Sequence, residues 1–369
     1  MKIAITGSRG IPNNYGGFEQ CAENLAVLLV EAGHEVTVYN PDYHDYNIDS
    51  YKGVRIVKQW NPEKKIGTIG NFIYDYRCIQ HAISENCDIL LVLGYTTASV
   101  FFPFLNKKKS ILVTNMDGLE WKRNKWNMII KKLALWFEKL GAKYSDYLVS
   151  DNREIRNYLQ RTYKTDSTFI AYGATLFRDP QESILQEYNI ETGKYDILIA
   201  RLEKENNVET VLDGVLLSSS STPTLVIGNH QTAYGNYLKE KYKAHSHIRF
   251  VGGIYNLNHL DNLRWHARFY FHGHSVGGTN PSLLEAMSSG AFILAHDNLF
   301  NRDVLGSNAY YFESPEAAAQ LLRAPEKCLE QRDRFIQANF LMIENEYNWQ
   351  KITNEYEDLF KTVLTSHNK

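Results

Sequence analysis

The segment HGHSVGGTNPSLLEAMSSG runs from His272 to Gly290 and follows the short apolar run Phe269–Phe271. Its paired glycines allow a backbone conformation or a close approach that other residues disfavour. Asn280 is a favourable helix N-cap and Pro281 a favourable first helical residue, so we predict a helix from Pro281 to Ser289. A strand, a glycine-rich loop and a helix in this order are typical of one repeat of a parallel α/β sheet.

Short apolar runs of the same kind alternate with helical patterns along the whole chain. Most are continuous in apolar residues, which is typical of parallel strands covered by helices on both faces. The first set of predicted strands is Ile3–Thr6, Val36–Tyr39, Val54–Val57, Ile89–Leu93, Ile111–Thr114, Tyr147–Val149 and Thr168–Ile170. The second set is Ile197–Ala200, Leu225–Ile227, Ile248–Val251, Phe269–Phe271, Phe292–Ala295 and Ala309–Phe312. Two sets in 369 residues indicate two doubly wound α/β domains.

The boundary between the two predicted domains lies near Tyr172. We therefore predict an N-terminal Rossmann-like domain over residues 1–173 and a C-terminal one over 174–346. The last segment, 347–369, carries apolar residues at helical spacing and is predicted to form a C-terminal helix.

Composition argues against several classes of protein. A net charge of −2 gives no indication of nucleic-acid binding. The four cysteines have no CxxC spacing, which disfavours a zinc or redox motif. The N-terminus enters a strand pattern without the apolar region of a signal peptide, so we expect a cytoplasmic protein. The uncharged stretch Ile89–Leu105 imitates a membrane span, but Gly94 and Pro103 favour a buried strand, a turn and a short helix.

The first predicted strand ends in the glycine-rich stretch TGSRGIPNNYGGFE, from Thr6 to Glu19, and a helix is predicted over Phe18–Ala32. Backbone N–H groups at Gly16 and Gly17 could approach a phosphate at the start of that helix. A dinucleotide-binding enzyme is the obvious alternative, but the glycine spacing fits neither GxGxxG nor the short-chain dehydrogenase variant. A loop that is rich in glycine only for tight turning is a second alternative.

The second half of the chain offers groups that suit a sugar nucleotide. Arg201 follows the strand Ile197–Ala200, where ligands bind in parallel sheets. We predict that the helix after Asn280 presents free N–H groups to an anion, and Glu285 lies one turn further, within reach of sugar hydroxyls. No DxD motif occurs in the chain, so no metal is expected to bind a diphosphate. Arg201 and the helix start would take the role of the cation.

Two histidines, His272 and His274, allow two interpretations. They could ligate a metal from one face of a strand. No cluster of Cys, Asp or His completes such a site, so contact with the donor or structural packing is the preferred interpretation.

Two motifs of the chain resemble those of a known family. ARLEKENN (200–207) and GHSVGGTNPSLLEAM (273–287) are similar to the paired motifs of retaining glycosyltransferases of family 4, which have the GT-B fold. With GSRGIPNNYGGFE and DGLEWKRNKW, they look most like the bacterial polysaccharide subgroup that contains β-1,4-rhamnosyltransferases. The resemblance covers nearly the whole chain. It implies an α/β protein of two Rossmann-like domains facing a central cleft, with a C-terminal helix that crosses back to pack on the first domain.

The resemblance also implies roles for individual residues. Arg201 would neutralise the diphosphate of a nucleotide-sugar donor, and Glu285 would hold its ribose hydroxyls. Asp117 is the candidate for orienting or deprotonating the acceptor, with capping of the turn at Gly118 as the alternative. The other donor-binding residues that it implies are Gly16, Gly17, Ile254, His274, Gly278, Thr279, Asn280, Ser282 and Leu283. It implies no cofactor and no metal.

Three positions depart from the pattern of the family. Asn206 stands where the family has a lysine, and Gly277 stands where it has the first of two glutamates. Asp117 replaces a histidine that is often found in the acceptor loop. These changes are coherent with a 6-deoxysugar donor, and dTDP-rhamnose is our best interpretation.

The stretch from Trp121 to Leu140 bears on the acceptor. It contains six Lys or Arg residues and one Glu, with aromatic residues between them. A basic, aromatic helix of this kind can lie on an anionic membrane surface. We therefore expect a lipid-linked saccharide acceptor in cell-surface polysaccharide or capsule synthesis, and a peripheral protein at the inner face of the plasma membrane. A core-packing helix with solvated lysines is the alternative.

Two other functions are compatible with the same motifs. A nucleotide-sugar epimerase can share the GT-B architecture. A sugar-nucleotide-binding protein without catalysis is also compatible, because a lysine of the family is missing at Asn206.

Overall fold

A computed structural model describes residues 1–14, 16–107, 109–123 and 126–367. Contacts within the chain divide it into two compact units. The first comprises residues 1–122, 126–173 and 349–369, and the second comprises 123–125 and 174–348. Each unit is built on its own sheet.

The sheet of the first unit has eight strands in the described residues, in the order β3-β4-β2-β1-β5-β6-β7-β8. The strands are β1 (Lys2–Thr6), β2 (Glu35–Pro41), β3 (Ser50–Tyr51), β4 (Val54–Gln59), β5 (Ile89–Leu93), β6 (Ile111–Asn115), β7 (Tyr147–Ser150) and β8 (Thr168–Phe169). The pair β3–β4 is antiparallel and the other neighbouring pairs are parallel. All seven predicted strands are confirmed. The two-residue β3 was not predicted, because it lies at an edge and has no apolar run.

Helices cover this sheet and bury its apolar strands. They are α1 (Gly17–Glu31), α2 (Glu63–Ile66), α3 (Ile69–Ser84), α4 (Met128–Tyr144), α5 (Arg153–Tyr163) and the last helix of the chain, α14 (Trp349–His367). Every residue of β5 and β6 is buried, as expected for central parallel strands covered on both faces. The continuous apolar runs of the sequence therefore correspond to the centre of the sheet.

The C-terminal helix α14 belongs to the first unit, as predicted. Its buried stripe includes Trp349, Tyr356 and Phe360. The Tyr356 hydroxyl accepts a hydrogen bond from Asn115 Nδ2 at 3.3 Å. A Cβ at Gly173 would lie 2.5 Å from the Trp349 ring, so the end of the N-terminal segment has no room for a side chain there.

The second unit contains six parallel strands in its described part, in the order β11-β10-β9-β12-β13-β14. They are β9 (Asp196–Ile199), β10 (Thr224–Ile227), β11 (Ile248–Gly252), β12 (Phe269–His272), β13 (Ile293–His296) and β14 (Tyr310–Phe312). The helices are α6 (Val208–Ser218), α7 (Ala233–Tyr242), α8 (Leu257–Trp265), α9 (Pro281–Ser288), α10 (Leu299–Leu305), α11 (Pro315–Arg323), α12 (Pro325–Leu329) and α13 (Arg332–Asn345). All six predicted strands of this half are confirmed.

Both sheets have a switch point, where successive strands are added on opposite sides of one strand. In the first unit this strand is β1, which lies between β2 and β5, and in the second it is β9, which lies between β10 and β12. Ligands of such sheets bind outside the carboxyl ends of the strands at this point. The topology therefore selects the loops after β1 and β9.

The apolar stretch of residues 89–105 is divided as predicted. It forms β5, a turn at Gly94 with φ of +81°, and a short 3-10 helix at Ser99–Phe104. Among the described residues, no helix combines the length and the apolar content needed to cross a bilayer.

The predicted basic helix over Trp121–Leu140 is wrong in its first part. Residues Glu120–Lys122 form a short 3-10 helix, and α4 begins only at Met128. Asn127 caps α4, because its side-chain oxygen accepts from the N–H groups of residues 129 and 130 at 3.1 and 3.0 Å. Asn124 and Lys125 lie outside the described residues.

The loop after β1 generates a prediction about stability. Gly7 has a φ of +85°, and a Cβ there would lie 2.3 Å from the carbonyl oxygen of Leu93. Gly33 has a similar φ of +88° but nothing within 4 Å of its Cβ position. Gly7→Ala should therefore cost about 2 kcal/mol more than Gly33→Ala, or a melting midpoint roughly 4–8 °C lower. Thermal unfolding of both variants checks this, and equal midpoints would contradict it.

Candidate functional site

Arg201 lies two residues beyond the end of β9, at the switch point of the second sheet. Its side chain is exposed. Its carbonyl oxygen accepts hydrogen bonds from Asn206 Nδ2 and from the N–H of Glu203, both at 2.8 Å. The loop thus closes on itself and holds the backbone of Arg201 in place.

Asn206, which stands where the family has a lysine, has a structural role here. The residue is only 5% exposed, and its side-chain amide is turned towards the Arg201 carbonyl. Asn207 follows with a φ of +49° and leads into α6. The neutral amide at this position therefore stabilises the loop.

The loop after β12 is tied to the loop after β9. Asn207 Nδ2 donates to the carbonyl of Gly273 at 2.9 Å, and Ser275 donates through both its N–H and its hydroxyl to the carbonyl of Glu205. A Cβ at Gly273 would lie 2.1 Å from the carbonyl oxygen of Asn206, so only glycine permits this approach. Neither Gly273 nor Asn207 was predicted to matter, although the glycine between two histidines was a visible signal.

The start of α9 confirms one prediction and corrects another. Asn280 caps the helix and Pro281 is its first residue, as predicted. Free N–H groups were also predicted there, but the N–H of Ser282 donates to Asn280 Oδ1 and the N–H of Leu283 donates to Asn280 O, each at 2.9 Å. The side chain of Leu283 is buried in the core. A phosphate at this helix start would have to compete with Asn280.

The glycines before α9 explain a second departure from the family. Gly277 has a φ of +127°, a conformation that glycine adopts easily and glutamate does not. Gly278 and Thr279 follow and are both buried. The backbone conformation at position 277 thus favours glycine over glutamate.

Glu285 is part of a buried ion triad that the sequence did not reveal. Arg264 on α8 donates from Nη2 to Glu285 Oε2 at 2.6 Å and from Nη1 to Asp261 Oδ1 at 3.0 Å. The side chain of Arg264 is 1% exposed and that of Glu285 is 23% exposed. Burial raises the pKa of Asp261 to about 6, although Arg264 opposes this shift. The Glu285 carboxylate, which was predicted to bind sugar hydroxyls, is therefore bonded to the buried guanidinium of Arg264.

His272 and His274 stack on each other with ring centroids 4.5 Å apart. His272 is fully buried, and burial keeps its pKa well below the usual value. Burial and the charge of Arg201 lower the pKa of His274 to about 4. Both rings are therefore neutral near pH 7. The described residues contain no group of three His, Cys, Asp or Glu side chains that could hold a metal ion.

The loop after β11 reaches the same edge of the second sheet. Gly252 has a φ of +97°, and Ile254, which was predicted to contact the base, is half-buried. The neighbouring Tyr255 is 84% exposed and lies against Gly253. An exposed aromatic ring at this edge was not predicted.

In the first unit, Gly16 and Gly17 lie at the start of α1, as predicted. A carboxylate of the protein itself lies at this helix start. The carboxylate of Glu19, which is 4% exposed, accepts from the N–H of Arg9 at 2.6 Å and lies 3.4 Å from the Cβ position of Gly16. Burial raises the pKa of Glu19. A phosphate at this loop would meet that carboxyl group.

Asp117 follows β6 and is half-buried. The next residue, Gly118, accepts a hydrogen bond through its carbonyl from the Tyr95 hydroxyl at 3.3 Å. Tyr95 also donates to Glu138 at 3.1 Å, and Tyr158 and Tyr163 donate to the same carboxylate at 2.6 and 2.7 Å. Glu138, the one acidic residue of the predicted basic helix, is thus a buried anchor beneath the Asp117 loop.

The structure places the predicted residues in two groups. Arg201, Ile254, His274 and the segment 278–285 lie at the carboxyl edge of the second sheet. Gly16, Gly17 and Asp117 lie at the carboxyl edge of the first sheet. The two groups belong to different compact units.

Comparison with family models assigns both segments of the chain. Residues 1–175 match a domain of unknown function, DUF1972. Residues 180–342 match glycosyl transferases group 1. Comparison with curated protein sequences gives no match.

Solved structures that resemble the chain cover nearly its whole length. Sucrose-phosphate synthase from Thermosynechococcus elongatus is 15% identical, with 99% of each chain covered and a TM-score of 0.79. HepE from Anabaena in complex with UDP and glucose is 12% identical, covers 98% of this chain and 100% of its own, and has a TM-score of 0.76. WaaG, a glycosyltransferase involved in lipopolysaccharide biosynthesis, is 15% identical, covers 97% and 99%, and has a TM-score of 0.71. The predicted GT-B fold is confirmed, and the group 1 domain supports a glycosyltransferase.

The neutral His272 should make the stability of the protein depend on pH. Its folded-state pKa is depressed, so the unfolded chain takes up a proton below its ordinary pKa of about 6.5 while the folded chain does not. Stability is therefore lost as the pH falls below about 6.5, by up to about 1.4 kcal/mol per pH unit for this group. His272→Gln should reduce this loss, as measured by melting midpoints at about pH 7 and about pH 5.

The control is Leu341→Ser, at an exposed position of the same unit that carries no titratable group, which should show the pH response of wild type. An unchanged pH response in His272→Gln would show that this ring does not take part in the acid destabilisation.

Proposed function

We propose that the protein is a retaining glycosyltransferase that moves L-rhamnose from dTDP-rhamnose to a lipid-linked saccharide in cell-surface polysaccharide synthesis. The observation that carries the proposal is the meeting of the Arg201 loop with the loop before α9 at the switch point of a group 1 glycosyl transferase domain. HepE, a structural neighbour, binds UDP and glucose, and WaaG acts in lipopolysaccharide biosynthesis. Both support a nucleotide-sugar donor and a cell-surface product.

The chemistry that we propose needs no nucleophile from the protein. The acceptor hydroxyl oxygen forms a bond to the anomeric carbon from the side of the leaving group, while the bond from that carbon to the phosphate oxygen breaks. The proton of the acceptor passes to the departing phosphate. Arg201 stabilises the charge on the leaving diphosphate, as preorganised cationic groups do. Asp117 orients the acceptor in this proposal.

Two features of the site support a deoxysugar. Asn206 contributes no positive charge, and Gly277 contributes no carboxylate to a sugar hydroxyl. A donor sugar without a hydroxyl at C6 leaves fewer polar groups to be satisfied, and an unsatisfied buried polar group costs about 1–3 kcal/mol. We further propose that transfer needs no metal ion, because Arg201 takes the role of the cation.

The membrane part of the proposal rests on the surface of α4. Met128, Ile129, Leu133 and Trp136 are 70%, 72%, 45% and 48% exposed. At about 100° per residue they fall within an arc of about 140°, and the exposed Lys132 and Lys139 fall within the same arc. The buried residues of α4 lie on the opposite side of the helix. An apolar stripe with interspersed lysines suits the surface of an anionic bilayer.

A donor panel tests the function. We expect dTDP-rhamnose, among dTDP-, UDP- and GDP-sugars, to raise the melting midpoint most and to give product only when an acceptor is present. Arg201→Ala should lower transfer by about a hundredfold or more, the scale of losing one preorganised contact to the developing charge. Arg178→Ala, an exposed arginine of the same unit that pairs with Glu344, is the control and should be as active as wild type.

Several results would contradict this function. Product formed without an acceptor would indicate an epimerase, and donor binding without any product would indicate a binding protein. Full activity of Arg201→Ala would remove Arg201 from the mechanism. Stabilisation by another nucleotide sugar would replace dTDP-rhamnose and leave the transferase in place.

Binding to vesicles tests the membrane surface. Ile129→Ser/Leu133→Ser should weaken sedimentation with phosphatidylglycerol vesicles at every salt concentration, because it removes apolar contacts. Lys132→Gln/Lys139→Gln should weaken binding mainly at low salt, by about 1 kcal/mol per lysine, because ions screen these charges at high salt. Leu217→Ser/Leu341→Ser, two exposed leucines of the second unit, is the control. If wild type does not pellet at low salt, α4 is not a lipid-binding surface.

A further inference from the structure

Arg264 is a buried residue of the second unit for which the sequence predicted no role. It is on α8, which begins after the loop of Gly252 and Ile254, and it reaches α9 through Glu285. The residue is among the largest fully buried side chains of the described chain. An uncompensated buried charge is strongly destabilising. The charge of Arg264 is compensated by two carboxylate partners.

The two carboxylates that contact Arg264 differ in position and in exposure. Asp261 is three residues before Arg264 on the same helix, and its side chain is 15% exposed. Glu285 is on another helix and is the more exposed partner, at 23%. A charge-assisted contact of 2.6 Å fixes the side chain of Glu285 relative to α8. The partly exposed carboxylate at the carboxyl edge of the sheet is thus oriented by a group that a ligand does not reach.

We propose that Arg264 is a positioning residue for the donor nucleotide, because it orients the Glu285 carboxylate towards a sugar hydroxyl of the nucleoside. This inference rests on the proposed function, since it takes the edge of the second sheet as the donor site. A carboxylate bonded at one oxygen by a guanidinium has fewer rotamers to lose when it accepts a hydroxyl. Arg264 therefore acts on affinity and on recognition of the hydroxyl, through Glu285.

The test compares dTDP with 2′,3′-dideoxythymidine diphosphate, which lacks the 3′-hydroxyl. Wild type should bind dTDP roughly tenfold to a hundredfold more tightly, as expected for a hydrogen bond to a charged group. Glu285→Gln should reduce this ratio. Arg264→Met/Asp261→Asn should reduce it to below about threefold, because the carboxylate is no longer fixed. The double change leaves no unpaired charge at Asp261, which favours folding. Calorimetry measures the affinities, and thermal unfolding verifies the fold.

The same unit offers a matched control. Arg268 and Asp196 form another buried ion pair, with contacts of 2.9 and 2.6 Å, at the opposite end of the sheet where β9 begins. Arg268→Met/Asp196→Asn should lower the melting midpoint without changing the ratio of the two affinities. If Arg264→Met/Asp261→Asn does not fold, Arg264→Lys is measured instead. It keeps the charge but lacks the planar, forked geometry of the guanidinium that fixes Glu285, so its ratio should also fall.

The outcomes separate this inference from the proposed function. If Glu285→Gln loses the ratio and the folded Arg264 variants keep it, the inference is wrong and the donor site stands. If Glu285→Gln keeps the ratio, Glu285 is not the hydroxyl contact and the inference fails with it. If wild type binds dTDP and 2′,3′-dideoxythymidine diphosphate equally well, and also binds UDP and 3′-deoxyuridine diphosphate equally well, Arg264 has no such role. Absence of all nucleotide binding would overturn both proposals.

Discussion

The contact between the loop after β9 and the loop after β12 holds the candidate donor site together. Gly273 permits it, because any side chain there would meet the carbonyl of Asn206. Asn207 and Ser275 then join the loops through hydrogen bonds to backbone carbonyls. Parallel strands place these loops at one edge but do not fix the distance between them. The missing Cβ at Gly273 therefore permits the direct contact between the two loops.

The candidate sites are not simple clusters of positively charged side chains, because each of them also contains a carboxylate. Glu19 sits at the start of α1, and Glu285 lies on α9 against a buried arginine. The two histidines beside the second site are neutral because burial disfavours their charged forms. The positive charges that act on His274 therefore come from Arg201 and Arg123.

Sequence reasoning predicted the features that depend on local pattern. The thirteen apolar runs became strands, and Asn280 and Pro281 start α9, because burial and capping follow from neighbouring residues. Features that depend on distant residues were not predicted. Arg264 meets Glu285 across 21 positions of sequence, and Glu138 meets Tyr95 across 43. The prediction of free N–H groups at Ser282 and Leu283 was wrong for a third reason: the side chain of Asn280 accepts from Ser282, and its backbone carbonyl accepts from Leu283.

Helix α4 contributes both to the protein surface and to the packing beside the Asp117 loop. Its exposed arc carries apolar and basic residues, while its buried arc carries Glu138. Glu138 is held by Tyr158 and Tyr163 of α5 and by Tyr95, which also supports the carbonyl beside Asp117. A buried carboxylate with three hydroxyl donors has little freedom to move without leaving a polar group unsatisfied. The hydrogen bonds of Glu138 and Tyr95 therefore link the packing of α4 to the loop of Asp117. The position of that loop and the environment of α4 are parts of the same packing arrangement.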